Sequence, residues 1–305
     1  MERYDLVIVG AGPAGLTAGL YAARARADAV LMERTAPGGQ VLNTYMVENW
    51  PGEVEGISGY ELAERMRKHA ERFGLKFSTR EVRALKPDGE LKILETDSGE
   101  IGAKAVILAV GASPRKLGVP GEELLTGKGV SYCATCDGPF YRDKVVACFG
   151  GGDTAAEEAL FLTRFASKVY LIHRRDELRA TAVLAERVKQ HDKIEILWSH
   201  IPVAIEGTQA VEAVRLKDLK TGREYSLAVE GAFVFIGNQP NTEWLKGVVE
   251  MDEGGYIITD QDMATSVPGV FAAGDCRAKL LRQIVVAAGE GATAAFAAQR
   301  YLEGH

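Results

Sequence analysis

Two cysteines three residues apart, Cys133 and Cys136, lie in the stretch YCATCDGPF, with Asp137 directly after the second. Such a pair could be a metal clip, a structural staple, an inert core spacing or a redox couple. A structural zinc site needs four ligands, usually from two such pairs. The chain has no second pair, and His69, His173, His191, His200 and His305 have no ligand-like spacing. Four cysteines in 305 residues are also too few for a disulfide scaffold. The flanks are small, polar and turn-forming, which disfavours a plain core segment. A dithiol–disulfide couple is the favoured reading, because Cys-x-x-Cys can close a short redox-active ring and stabilise a thiolate. Asp137 reads either as a proton donor to that couple or as a turn residue before Gly138. Cys148 and Cys276 read as small buried hydrophobes.

A redox couple needs an electron source, and two nucleotide-binding patterns surround this one. The run YDLVIVG is continuously apolar, as a parallel strand buried on both faces must be. It leads into GAGPAG (Gly10 to Gly15), an Ala-rich helical stretch, and a second apolar run ending on Glu33. Strand, glycine turn, helix, strand and acid make a complete dinucleotide-binding unit. Gly10 allows the tight turn, Gly12 the close approach of a pyrophosphate, and Gly15 close packing of helix on sheet. Helix amides face the phosphates, and Glu33 can accept hydrogen bonds from a ribose.

The second pattern is KVVACFGGGDTAAEEALFLTRFASKVYLIHRR, with Gly150, Gly152 and Ala155 at the three turn positions. Its second strand ends not on an acid but on His173, Arg174 and Arg175, with Arg179 one turn further. Arginines at the ribose-reading position favour a 2′-phosphate where an acid would repel it. This site is therefore expected to take NADPH, and a solvated basic face is the plainer alternative. Two such units imply two nucleotides, and a flavin with a nicotinamide is the usual pair.

Composition narrows the rest. With 36 Lys and Arg against 42 Asp and Glu, the net charge of −6 argues against nucleic acid or an anionic membrane as main partner. No uncharged apolar run is long enough to span a bilayer. The N-terminal stretch MERYDLVIVGAG enters a strand with no basic leader or small-residue cleavage site. Sparse cysteines and this start predict a cytoplasmic protein.

Taken with further stretches, these patterns resemble the low-molecular-weight bacterial thioredoxin reductases over nearly the whole chain. The stretches are APGGQ (36–40), VENWPG (47–52), VILAVGASPRKLGVPGE (106–122), AFVFIGNQPNT (232–242), GVFAAGDC (269–276) and RQIVVAAGEGATAA (282–295). The resemblance implies FAD held by Gly10, Gly12, Ala14, Gly15, Glu33, Gly39, Gln40, Asn49, Gly111, Gly274, Asp275, Arg282, Gln283 and Ile284. Asp275 would bind ribityl hydroxyls, although an Asp there also reads as a helix cap. Gln40 and Asn49 suit a flavin edge or simply a loop. The resemblance adds Asp153, Thr154 and Gly237 to Gly150, Gly152, Ala155, His173, Arg174, Arg175 and Arg179 as the NADPH site. It departs from the family at Pro139, where an aromatic is often found.

The architecture so implied is α/β, with two Rossmann-like three-layer domains. An NADPH domain (114–244) carrying the Cys pair is inserted into a split FAD domain (1–113 and 245–305). By the resemblance, hydride passes from NADPH to FAD and electrons reach the disulfide through Cys136. Cys133 then exchanges with oxidised thioredoxin, and Asp137 handles protons. Cys136 lies only fourteen residues before Gly150, so nicotinamide and disulfide ride on one domain and compete for one flavin ring. A domain that turns between two poses, and a homodimer, are expected. The rivals are a flavin-dependent dithiol oxidase, a reductase of a peroxiredoxin- or glutaredoxin-like protein, and a non-catalytic nucleotide sensor. The arginines speak against the oxidase, and the cysteine pair speaks against the sensor.

Overall fold

The computed structural model describes residues 1–44 and 46–304. The chain divides into two units, Met1–Ser113 with Gln239–His305, and Pro114–Asn238. The first unit is built on β1 (Glu2–Val9), in which Leu6, Val7, Ile8 and Val9 are all buried. The chain continues through α1 (Pro13–Arg24), β2 (Ala29–Glu33), α2 (Gly59–Arg72), β3 (Lys76–Thr79), β4 (Val82–Asp88), β5 (Leu91–Thr96), β6 (Gly99–Leu108) and β7 (Ala112–Pro114). The sheet runs β3-β2-β1-β6-β5-β4, parallel from β3 to β6 and antiparallel from β6 to β4. Ser58 starts α2 as an N-cap, its hydroxyl accepting the Glu61 amide at 3.1 Å.

The second unit opens with β8 (Val130–Ser131), α3 (Ala134–Asp137), β9 (Val145–Gly150), α4 (Asp153–Leu162), β10 (Lys168–His173), α5 (Ala182–Gln190) and β11 (Ile194–Trp198). It closes with β12 (His200–Glu206), β13 (Ala213–Asp218), β14 (Glu224–Ala228) and β15 (Gly231–Phe235). Its parallel sheet has the order β11-β10-β9-β15-β8. Strand alternation sorts the core: Val146 and Cys148 of β9 join Ala155, Ala159 and Leu162 of α4. Ala147 and Phe149 join Ile205, Val214 and Leu216 of the antiparallel β12–β14 sheet on the other face. The unit thus has three layers, helices, parallel sheet and antiparallel sheet.

The chain then re-enters the first unit through β16 (Asn238–Pro240), which pairs with β7, and adds β17 (Val270–Ala272) and α6 (Ile284–Glu303). β17 pairs in parallel with Val106–Leu108 of β6. The helices α1 and α6 meet through small residues: a Cβ on Gly291 would lie 2.1 Å from the Ala14 carbonyl oxygen. Larger residues in this alanine-lined contact would overpack it, at about 1–3 kcal/mol each. The first unit resumes at Gln239, six residues before the boundary the sequence predicts at 244/245. The reason is packing: Leu245 is fully buried and Trp244 rests on the same first-unit core. Among the described residues, no helix is long and apolar enough to cross a membrane.

Candidate active site

In both units the residues singled out by sequence gather at the C-terminal ends of parallel strands, where α/β sheets place ligands. In the second unit β8 delivers Ser131, and the chain turns at Cys133, the N-cap of α3. Cys133 and Cys136 form a disulfide with Cα atoms 5.3 Å apart. The Cys136 amide donates to Cys133 Sγ at 3.2 Å. A donor aimed at that sulfur would favour its thiolate once the bond opens.

Ser131 holds this turn in place. Its Oγ accepts the Cys133 amide at 3.1 Å, and its hydroxyl donates to Asp137 Oδ2 at 2.5 Å. Burial pushes the Asp137 carboxyl above its ordinary value, against the Ser131 hydrogen bond. Burial and the Asp137 charge together raise the Tyr141 phenol to about 12. Glu158 of α4 is a second carboxyl next to the turn, raised by burial although the Ala134 amide faces it. The remaining cysteines are fully buried, Cys148 in β9 and Cys276 after β17. Burial raises both thiols, Cys276 to about 11. Burial thus disfavours a thiolate at both, whereas Cys133 and Cys136 are only half-buried. Among the described residues no cluster could hold a metal ion.

The same unit carries the second glycine turn. Gly150 ends β9, Gly152 caps α4, and Asp153, Thr154 and Ala155 form the first turn of that helix. His173 ends β10 and is nearly buried, its Nδ1 donating to the Gly150 carbonyl at 2.8 Å. A Cβ on Gly151 would stand 2.2 Å from the His173 ring, so imidazole and turn are in full contact. Burial, the leading cause, lowers the His173 pKa. Arg174, Arg175 and Arg179 are exposed. Their loop is tied back to the turn by Arg179 N–H to Gly151 O and Thr181 N–H to Asp153 Oδ1, both 2.6 Å. The Asp153 carboxylate is thus occupied by the protein's own amide. Gly237 follows β15, its carbonyl accepting the Arg115 amide at 2.9 Å.

In the first unit, Gly10 ends β1 with φ +100°, and a Cβ on Gly15 would lie 1.8 Å from the Gly10 carbonyl oxygen. The turn can close only without one. Glu33 Oε2 accepts the Ala11 amide at 2.9 Å, and Oε1 accepts the Thr35 amide at 3.1 Å. Gly39 and Gln40 open a 3₁₀ turn, and Gly39 lies against Gly12. Gly274 lies against Ala14 of α1, and Asn49 donates to Gln283 at 3.0 Å. Gly111 stands apart from these contacts; its amide faces the Cys276 sulfur. Two observations fit a bound dinucleotide. A Cβ on Gly12, Gly111 or Gly152 would meet nothing within 4 Å, which leaves open space at each turn. Arg282 Nε is buried without a hydrogen-bond partner among the described residues, while its guanidinium stacks 4.2 Å from the Tyr256 ring.

Sequence reasoning missed Ser131, Glu158 and a buried ion network of Arg277, Lys279 and Glu290. Ser131 carried a signal, a short polar residue two positions before a cap. So did Glu158, which shares a helical face with Ala155 and Leu162.

Residues 4–291 match the family described as pyridine nucleotide-disulphide oxidoreductase. A thioredoxin reductase of Peptoclostridium acidaminophilum is 47% identical over 306 residues, covering 98% of this chain and 97% of that protein. One from Listeria innocua is 44% identical over 301 residues, covering 98% and 94%. The crystal structure of thioredoxin reductase from Streptococcus pyogenes superposes with a TM-score of 0.96 at 45% identity, covering 99% of each chain. With both glycine turns and the disulfide in place, this chain belongs to the pyridine nucleotide-disulphide oxidoreductase family, among its thioredoxin reductases.

Proposed function

We propose that the protein reduces thioredoxin with NADPH, through FAD and the Cys133–Cys136 disulfide. One observation carries this reading: a half-buried Cys-x-x-Cys disulfide sits in the same unit as a glycine turn flanked by exposed arginines. The 1–113 and 239–305 segments would hold FAD through the fourteen residues named above. The 114–238 unit would hold NADPH at Gly150, Gly152, Asp153, Thr154, Ala155 and Gly237, with Arg174, Arg175 and Arg179 on the 2′-phosphate. His173 supports this site from beneath, bracing the turn. When bound, the two nucleotides supply hydride and its two-electron relay to the disulfide.

The chain's own groups do the rest. Opening the disulfide takes two electrons and two protons and leaves two thiols. The Cys136 amide favours charge on Cys133 Sγ, which supports Cys133 as the sulfur that attacks thioredoxin. That attack forms a mixed disulfide and releases one thioredoxin thiolate. Cys136 then displaces the second thioredoxin sulfur and restores the ring, so electrons and protons balance. Asp137, with its raised pKa and its Ser131 partner, can hold the proton the leaving sulfur needs. A cytoplasmic homodimer is part of the same proposal.

The test is purified protein with FAD and NADPH, offered thioredoxin, glutaredoxin, a peroxiredoxin or oxygen as acceptor. Stopped-flow absorbance should record bleaching of the flavin by NADPH and fast reoxidation by thioredoxin. Reoxidation by oxygen alone, with thioredoxin inert, would overturn the reading in favour of an oxidase.

A further inference from the structure

Five residues of the proposed flavin site (Gly274, Asp275, Arg282, Gln283 and Ile284) lie where the chain passes from β17 into α6. One side chain outside that set organises the passage. Glu290 of α6 reaches back with both oxygens: Oε2 accepts the Gly274 amide at 2.7 Å and the Lys279 ammonium at 3.2 Å. Oε1 accepts Arg277 Nη1 at 2.7 Å. Arg277 Nε in turn donates to Thr259 at 2.9 Å, and Lys279 Nζ stands 3.0 Å from Asp275 Oδ1. Lys279, Glu290 and Arg277 are only 7, 10 and 12% exposed, while Asp275 is 37% exposed. Two anions and two cations thus cancel in a site largely shut from water, where each charge depends on the others.

We propose that Glu290 is the positioning residue of the flavin site, fixing Gly274 directly and Asp275 through Lys279. The inference rests on the flavin reading of this unit. With Glu290 in place, Lys279 is shared between two carboxylates, and Asp275 keeps its outer oxygen available to a ribityl hydroxyl. Without that charge, Lys279 has Asp275 as its sole anionic partner and draws it inward. The Gly274 amide, pressed against α1, also loses a charged acceptor. A merely structural ion network would lower stability and leave ligand preference unchanged. A positioning role predicts a selective loss, because ADP, the half of FAD that meets Gly10 to Gly15 and Glu33, does not reach Asp275.

The experiment measures binding of FAD and of ADP to apoprotein by titration calorimetry, with thermal unfolding recorded beside it. Glu290→Gln should weaken FAD by roughly 10- to 100-fold, by analogy with the loss when a partner that orients a metal ligand is removed, and leave ADP within twofold. Lys279→Met in the Glu290→Gln background restores neutrality and should recover most of the FAD affinity. Equal losses for FAD and ADP, or FAD affinity within twofold of wild type, would overturn the proposal. So would an unrescued double variant. If Glu290→Gln does not fold, Glu290→Asp, which keeps the charge but falls short of the Gly274 amide and Lys279, must weaken FAD more than ADP, and equal or absent losses count against the proposal. Failure of the wild-type apoprotein to bind FAD would instead sink the flavin reading.

Discussion

The two glycine turns share a backbone plan but are braced by side chains of opposite kind. After β1, the Glu33 carboxylate accepts the Ala11 amide and sits at the end of the neighbouring strand as an anion. After β9, the equivalent strand end supplies His173, which donates to the Gly150 carbonyl and whose charged form burial disfavours. Charge in the second unit is displaced outward to Arg174, Arg175 and Arg179, on a loop tied to the turn through backbone amides. The turns also close differently. Gly15 is required because its hydrogen points at the Gly10 carbonyl, whereas Ala155 is tolerated because Gly150 has no Cβ to meet it at 2.5 Å. Under the proposed function, bracing and ligand reading would therefore be combined in one residue in the first unit and divided between His173 and the arginines in the second.

The sharpest break between the units is the disulfide, which the second has and the first lacks. Cys133→Ser and Cys136→Ser should each bring NADPH-driven thioredoxin reduction to background while NADPH still bleaches the flavin. Retained turnover in either variant would remove the pair from the electron path. Next in size is the closure of the turns. Gly15→Ala should cost more than about 4 kcal/mol in urea unfolding, since a Cβ there would meet backbone oxygen at 1.8 Å. Gly12→Ala, with nothing in its way, should unfold like wild type yet bind FAD poorly. Equal unfolding curves for the two would show that close packing does not set the requirement at Gly15.

Both glycine turns, the Cys pair and the insertion of one unit into the other were legible from sequence, because each depends on local spacing. Gly10 to Gly15 and Gly150 to Ala155 announce themselves within one turn of chain. The partners that fix these features were less legible where they come from far away. Glu290 binds Gly274 across 16 residues, and Asn49 finds Gln283 across 234. His173 read as part of a basic cluster, yet its ring is turned under Gly151, a choice made by packing around β9 and β10. The second unit boundary moved for the same reason, since nothing near Trp244 states which core will take it.

Smaller effects sharpen the charge contrast. Removing Arg174 and Arg175 together by alanine should raise the KM for NADPH by about 10²- to 10⁴-fold, at about 1.5–3 kcal/mol for each of the two charged contacts. The KM for NADH should change less than threefold, and matched losses would assign these side chains to a solvated surface. Asp137→Asn should slow flavin-to-disulfide transfer by about 10²-fold with FAD content unchanged. A slowing below tenfold leaves Asp137 as a turn residue.

The smallest expected effect is on stability. Burial raises the folded-state pKa of Asp137 above its unfolded value, so the native protein holds that proton more tightly. The contribution is fully present below pH 3.8, the unfolded value, and is lost as pH rises through the folded one. Asp137→Asn should therefore melt higher than wild type at pH 8, by about 2–4 °C for each kcal/mol relieved. Near pH 4 the advantage should shrink, and a gap that widens on acidification would reverse the sign.

The nesting of one unit inside the other has a consequence for biosynthesis. The sheet of the first unit lacks β17, and α1 lacks its α6 partner, until residues 270–303 have left the ribosome. The inserted unit, by contrast, has its whole sheet once Phe235 is out. A nascent chain should thus carry a finished inner unit while the apolar flank of α1 waits uncovered, a window in which chaperones would bind. Arrested chains ending near residue 265 should accordingly resist protease between residues 114 and 238 and be cut readily around α1.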